Sequence, residues 1–218
     1  MSKTKHLIPR LLVFLMFIFA SCGSSDEGRV EEAAGPPESV RFLWREERYD
    51  ETLQDTFNTI VINDTLSRSL SDPKRAALGF VATFVGSECY WDGAMAVDRS
   101  NLQCKVLTAL DLGYQCSETH LGFLRNWFRN DSSSLKQLET CPTIPYTATV
   151  QSSFDYINLT IWADTIEVTS GISGMNMRAG EHWSWREIDW FKINGNTISH
   201  VGSERTETAH TKGTEVSD

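Results

Sequence analysis

The residues best suited to chemistry lie together in residues 180–196, which read GEHWSWREIDWFKINGN. This stretch alternates as a β-strand does and ends in an Asn-Gly pair, a strong hairpin signal. Because successive side chains of a strand point to opposite faces, Glu187 and Asp189 share a face with Trp183 and Trp185. Burial raises the pKa of a carboxyl group, and a second carboxylate nearby raises it further. The pattern therefore predicts a pocket in which Glu187 and Asp189 are candidates for a general acid or base.

A structural explanation of the same residues stays open. Glu187 could pair with an arginine across the sheet, and Asp189 could cap a helix or reach solvent at the rim of the strand. A β-bulge could move one residue to the other face. The tryptophans could be ordinary core residues. Trp91, in a predicted loop, is the candidate for the rim of the pocket.

The segments that must position this strand change from helical to β-rich patterns along the chain. In the first half, apolar residues recur at three- and four-residue steps, which predicts a helix face formed by Tyr49, Leu53, Phe57, Ile60 and Val61. A second helix is predicted to begin at Asp72 and to be buried on nearly all sides. From Tyr146 onward the segments are β-rich. The predicted fold class is α+β, with N-terminal helices packed on a curved antiparallel sheet formed by the C-terminal half.

The N-terminus has the features of an export signal. Lys3, Lys5 and Arg10 precede an apolar run at 11–20 that is too short to cross a bilayer as a helix. The small residues before Cys22 resemble a bacterial lipoprotein cleavage site, and the acidic stretch after it resembles the surface-export signal of Bacteroidetes lipoproteins. The resemblance implies acylation of Cys22 and anchoring to the outer membrane of the cell envelope, on its periplasmic or surface face.

These features divide the chain into four predicted parts. Residues 1–21 are a signal peptide, 22–39 a flexible acidic tether, 40–204 a single α+β domain, and 205–218 a disordered tail. Removal of the signal peptide takes away three positive charges and no negative one, so the net charge falls from −9 to −12. Such an acidic surface repels phosphate backbones, which argues against nucleic acid as a partner.

Four cysteines remain after the signal peptide: Cys89, Cys104, Cys116 and Cys141. An even number in an exported chain predicts two disulfides, for which three connectivities are possible. Pairing between sequence neighbours, Cys89–Cys104 and Cys116–Cys141, is the favoured one. The spacings of zinc sites are missing from the sequence, so we predict neither a metal nor a cofactor.

Cys116 also allows a second enzyme hypothesis. It precedes a predicted helix, whose N-terminus would stabilise a thiolate, and His182 or His200 could be the base. The order of a cysteine on a helix and then a histidine on a strand resembles transglutaminase-like cysteine hydrolases. His120, by contrast, is expected to be a partly exposed helix residue.

The last quarter of the predicted domain, WREIDWFKINGNTISHV, resembles the nuclear transport factor 2-like superfamily. That resemblance implies a cone in which helices pack on a bent sheet and leave a pocket between them. Some members are isomerases or hydrolases that use an aspartate in the pocket, and many only bind ligands or partners. Carried over to this chain, it would place Asp189 at the wall of the pocket, with Glu187 or His182.

The leading functional prediction is a lipid-anchored envelope protein that binds a small ligand or an envelope protein, with a pocket lined by residues 183–191. One alternative is a small isomerase or hydrolase with Asp189 as its base. The other is a cysteine hydrolase with Cys116 and either His182 or His200.

Overall fold

The computed structural model describes residues 37–84, 102–141 and 150–212. In chain order their elements are β1 (Glu38–Asp50), β2 (Asp55–Ile62), α1 (Asp64–Ser69), α2 (Asp72–Phe84), α3 (Leu102–Ala109), α4 (Glu118–Trp127), α5 (Ser132–Glu139), β3 (Val150–Trp162), β4 (Thr165–Asn176), β5 (Glu181–Asn194) and β6 (Thr197–Thr211). The signal peptide, Cys22, Cys89, Trp91 and the side chain of Cys104 lie outside the described residues, so the predictions made for them stay predictions.

The six strands form one open antiparallel sheet in the order β2-β1-β3-β4-β5-β6. The five helices follow β2 in the chain, and the chain then returns to place β3 beside β1. Three of the strand pairings contain register shifts, which are bulges that bend a strand and increase its twist. The α+β class predicted from the sequence is therefore confirmed.

The prediction that the C-terminal half alone forms the sheet is wrong, because β1 and β2 precede the helices. Tyr49, Leu53 and Phe57, assigned to a helix face, lie in a hairpin and are exposed, Leu53 at 70%. The carboxylate of Asp50 accepts hydrogen bonds from the backbone N–H groups of Thr52 (2.7 Å) and Leu53, which closes the turn. The β-branched residues at 59–62 then favour a strand over a helix.

The buried helix predicted from Asp72 is confirmed. Every residue of α2 from Ala76 to Thr83 is buried, and the helix contacts β4, β5, β6, α3 and α4. Its Phe80 ring lies 4.8 Å from the ring centre of Phe128 and 5.8 Å from that of Phe191. These three rings anchor the helices to one face of the sheet, and the burial of such large apolar side chains is a major stabilising contribution.

The final strand is longer than predicted. β6 continues to Thr211 and pairs with β5 as far as His182, so residues 205–211 are strand rather than disordered tail. Their polar composition suggested disorder, but β5 is long enough to pair with the whole segment and to satisfy the backbone groups that face it. β6 is thus an edge strand with a largely exposed end.

Candidate functional site

The predicted alternation of β5 is confirmed by its contacts. β5 keeps an unbroken register with β4 from Glu181 to Lys192, so its odd-numbered residues share one face. That face meets the helices, since Phe191 packs against Phe80 and Phe128 and Trp185 packs against the core. The even-numbered residues lie on the opposite face of the sheet.

Asp189 is buried, with 7% of its surface exposed, and it has a specific partner. The Nε2–H of His200, on β6, donates to Asp189 Oδ1 over 2.9 Å. The His200 ring lies 5.1 Å from the ring centre of Phe191 and 5.4 Å from that of Phe80. The structural explanation had Asp189 capping a helix or reaching solvent at the rim of the strand. Instead, Asp189 binds a histidine that packs against the aromatic core.

The position of His200 is also set from the helical side. Its backbone N–H donates to Asp131 Oδ2 over 2.9 Å, and Asp131 caps the N-terminus of α5. Partial burial of Asp131 acts to raise its pKa, but the hydrogen bonds from Ser134, His200 and Ser133 outweigh it and lower the pKa below its ordinary value. His200 thus links the cap of α5, through its backbone N–H, to β5, through its imidazole.

Glu187 forms a separate cluster. Both of its carboxylate oxygens accept from Arg205 Nη2, over 3.0 and 2.8 Å, and one accepts from Trp185 Nε1 over 3.2 Å. The guanidinium of Arg205 lies 4.9 Å from the centre of the Trp185 ring, a cation–π contact. The pairing of Glu187 with an arginine across the sheet is confirmed. Glu187 and Asp189 have different partners and do not form a shared acid–base pair.

Cys116 is bonded to Cys141, one of the two predicted disulfides, with 6.0 Å between their Cα atoms. A bonded sulfur offers no thiolate, so the cysteine-hydrolase alternative lacks its nucleophile in this structure. The backbone N–H of Cys116 donates to Nδ1 of His120 over 3.1 Å.

His120 is fully buried, and the prediction that it is partly exposed is wrong. Ser117 caps α4 as its sequence position suggests, and this first turn points the imidazole at α2. There its Nε2 lies 3.2 Å from Thr83 Oγ1 and 3.4 Å from the carbonyl oxygen of Gly79. Burial lowers the pKa of His120 from its ordinary 6.5 to about 4, against the opposing effect of the hydrogen bond to Gly79.

A cleft of about 390 Å³ lies at the end of the sheet where β5 begins. We call it the sheet-end cleft; its lining includes Arg45, Ser153, Ser173, His182, Trp183 and Ser184. Ser173 and Ser184 alternate with Ile172 and Trp185, which face the helices, so these hydroxyl groups lie on the other face of the sheet. Of the described pocket candidates, only Trp183 lines this cleft.

Sequence reasoning missed the rest of the cleft. Arg45 lies on β1, far in sequence from the hairpin of β3 and β4 that supplies Ser153 and Ser173, and strand pairing brings the three together. Residues 152–154 read SSF and residues 170–173 read SGIS, so neither segment alternates polar with apolar residues and no local signal marks the site.

A second cleft, of about 430 Å³, lies between β2 and α3. Arg48, Asp64, Lys105 and Thr108 are among its lining residues, and Arg48 is paired with Glu46 over 3.0 Å. Trp185, Glu187 and Asp189 line neither of these two clefts.

Comparisons with known proteins do not relate this chain to a known family. No protein-family model, curated protein or solved structure matches this chain. Among the described residues, no group of three or more His, Cys, Asp or Glu side chains is placed to hold a metal ion. Within the same residues, none of the helices is long and apolar enough to cross a membrane.

Proposed function

We propose that this protein is a lipid-anchored ligand-binding protein of the bacterial cell envelope, and that its ligand binds in the sheet-end cleft. The observation that carries the proposal is the cleft itself, where the guanidinium of Arg45, the imidazole of His182 and several hydroxyl groups lie on one face of the sheet. Its volume of about 390 Å³ lies within the range of small-molecule sites, roughly 300–1,000 Å³.

The proposal keeps β5 as part of the site, but only the first residues of that strand contribute to it. His182 is exposed and lies on the same face of the sheet as Ser173 and Ser184, whereas the half-buried Trp183 alternates to the face that meets the helices. The later residues of the strand are occupied by the core, by His200 and by Arg205. They support the sheet that carries the cleft.

The envelope location rests on the sequence of the N-terminus. A positive segment, a short apolar run and Cys22 are the features of a lipid-anchored export substrate, and an acidic tether follows. The nuclear transport factor 2-like family is likewise a proposal. It is supported by helices packed on one face of an antiparallel sheet and by the hairpin at Asn194 and Gly195.

The alternative in which Asp189 is a catalytic base is less well supported. Its carboxylate is engaged by His200, and neither described cleft reaches it. A general base must lie within hydrogen-bond reach of a bound substrate. The binding proposal has a site with room for a ligand, and it is therefore preferred.

The test is an NMR screen of protein labelled with carbon-13 in its histidine rings, with the His182 resonance assigned through a His182→Gln variant. The screen covers carboxylates, phosphates, amines, peptides, fatty acids and saccharides. We expect at least one class to shift the His182 resonance while that of His120, which does not line the cleft, stays in place. If no class shifts the His182 resonance, the proposed binding site is wrong.

A further inference from the structure

The two outer strands of the sheet differ in how they are protected from pairing with a further strand. β6 has two register shifts against β5, and its exposed part carries the charged residues Glu204, Arg205 and Glu207. Bulges and charges of this kind prevent an edge strand from accepting another strand. β2 has neither feature over residues 59–62, which read TIVI and pair with β1 in an unbroken register. These residues leave the edge of β2 able to accept a further strand.

The backbone of β2 presents hydrogen-bonding groups along this edge. The N–H of Asn63, the residue after β2, donates to the carbonyl oxygen of Phe42 over 2.9 Å. In an antiparallel pair, residues bonded to the neighbouring strand alternate with residues whose N–H and C=O groups point away from it. Counted back from Asn63, Ile62 and Ile60 are the residues that direct these groups outward. Within the described part of the chain, no backbone hydrogen bond outside the sheet reaches either residue.

These outward groups lie at a cleft with room for a peptide. The cleft between β2 and α3, which we call the strand-edge cleft, has a volume of about 430 Å³ and is lined by all four residues from Thr59 to Ile62. Successive residues of a strand point to opposite faces, so a cleft that contacts all four lies along the edge of the sheet. Lys105, Thr108 and Ala109 line it from one face of α3, since they are three and four residues apart.

The charges of the strand-edge cleft favour a segment with one acidic side chain. Lys105 is exposed, and among the described residues no ion pair neutralises its ammonium group. Arg48, the other cation in the lining, is paired with Glu46. Asp64 also lines the cleft and would repel a second acidic residue. The apolar residues of β2 suit β-branched side chains at the remaining positions.

We propose that β2 binds an extended segment of a partner protein as a further strand in the strand-edge cleft, with an acidic side chain of that segment at Lys105. Main-chain hydrogen bonds to Ile60 and Ile62 would supply affinity, and the side chains would supply specificity. The chain's own tether fits poorly, because Val30 is the single β-branched residue within residues 22–37 and strands favour β-branched residues. The described lining residues of the two clefts do not overlap, so this inference is tested separately from the proposed function.

Amide hydrogen exchange of the full-length protein in detergent micelles, measured for each residue by NMR, tests the edge before any peptide is added. We expect the N–H groups of Ile60 and Ile62 to exchange much faster than those of Thr59 and Val61, which bond to β1. Slow exchange at Ile60 and Ile62 in the free protein would overturn the inference, because the tether or a second copy would then already cover the edge.

The probe for binding is a set of synthetic pentapeptides, capped at both ends and built from valine, isoleucine and threonine with glutamate, glutamine or lysine at one position. We expect at least one glutamate peptide to bind, to slow the exchange of the Ile60 and Ile62 amides, and to bind about tenfold more tightly than its lysine counterpart. The inference is wrong if no glutamate peptide binds, or if a bound one leaves these two amides exchanging as before.

N-methylation of the bound peptide distinguishes strand addition from binding through side chains alone. Methyl groups on one alternate set of residues remove the N–H groups that bond to β2, whereas methyl groups on the other set face away from it. We expect about a tenfold loss of affinity or more from one set and little loss from the other. Equal losses from the two sets would overturn strand addition.

A charge reversal tests the position of the acidic side chain. Lys105→Glu should make the protein prefer the lysine peptides over the glutamate peptides. Lys136→Glu, the same change at an exposed residue of α5 outside the cleft, should keep the original preference. An unchanged preference in the Lys105→Glu protein would overturn the assignment of the acidic side chain to Lys105.

Discussion

At the scale of single residues, the partners of each buried polar group determine what it can do. His120 and His200 are both histidines at the helix–sheet core, but their surroundings differ. His200 faces a carboxylate, whereas Nδ1 of His120 faces the backbone N–H of Cys116, which is a donor. Protonation of Nδ1 would place two donors together, so the geometry favours the neutral imidazole at His120.

This arrangement predicts that His120 makes stability depend on pH. The pKa of His120 is lowered to about 4 in the folded protein, while the unfolded chain binds the proton near pH 6.5. Stability is therefore complete above pH 6.5 and is lost as the pH falls toward 4, by about 3 kcal/mol at most. Urea unfolding at a series of pH values measures the slope.

A His120→Gln variant provides the comparison. Whatever its absolute stability, it should lose stability less steeply between pH 6.5 and 4 than the unmodified protein. His210→Gln, which changes an exposed histidine of β6, should keep the original slope. Parallel slopes for all three proteins would contradict the assignment.

Asp189 is predicted to be structural. Asp189→Ala should destabilise the protein by about 1–3 kcal/mol, because the Nε2–H of the mostly buried His200 loses its acceptor. Asp189→Asn keeps an oxygen at that position and should be milder. Asp164→Ala, which removes the exposed partner of Lys192, should have no measurable effect. Thermal and chemical unfolding measure all three, and an Asp189→Ala protein of unchanged stability would revive the enzyme alternative.

At the scale of elements, close contacts between strands and between helices depend on small residues. Gly171 of β4 lies directly opposite Tyr156 of β3, and a Cβ at Gly171 would lie only 2.2 Å from Tyr156 Cε1. The tyrosine ring therefore lies over the glycine on the sheet face opposite the helices. Gly79 in α2 has the same role among the helices, where a Cβ would lie 2.6 Å from Leu112 Cδ1.

We predict that Gly171→Ala destabilises the protein by about 1–3 kcal/mol, because the ring of Tyr156 must move to make room. Gly202→Ala is the matched control, since no atom lies within 4 Å of a Cβ built there and its backbone is ordinary. It should be neutral or slightly stabilising. Chemical denaturation compares the two variants.

Gly171→Ala in a Tyr156→Ala background tests whether crowding against the tyrosine ring is what destabilises the protein. If the ring is the obstacle, Gly171→Ala should cost much less once the ring is gone, and the double-mutant cycle should show coupling. Additive effects would contradict this explanation.

At the scale of the whole molecule, the sequence predicts a folded domain joined through an acidic tether to a lipid on Cys22. Several acyl chains on one cysteine hold a protein stably at a membrane, where a single chain holds it only marginally. We predict that the protein incorporates labelled palmitate and partitions with membranes, and that Cys22→Ser abolishes both.

Ser24→Ala, a nearby change that leaves the cysteine intact, should retain the label and the membrane partitioning. Labelling that survives Cys22→Ser would contradict lipid attachment at that residue, and the N-terminus would then be an ordinary signal peptide.

The sequence by itself determined the α+β class, the buried helix α2, the two faces of β5 and the pairing of Cys116 with Cys141 as the favoured choice. These features depend on local periodicity or on closeness in the chain, and such signals are readable from neighbouring residues. The hairpin of β1 and β2 was missed because its apolar residues recur at three- and four-residue steps, as they do in a helix. Tyr49, Leu53 and Phe57 are exposed in the structure, so this spacing did not mark a buried face.

Only the tertiary structure decided which residues meet across the sheet. The sheet-end cleft combines side chains from β1, β3, β4 and β5, and Asp189 finds His200 eleven positions away through a hairpin. Strand order and register set these contacts, and neither is encoded in the spacing of residues along any one strand. The same Asp189 that sequence chemistry marks as a base is, once its neighbours are known, a buried acceptor that holds a histidine in place.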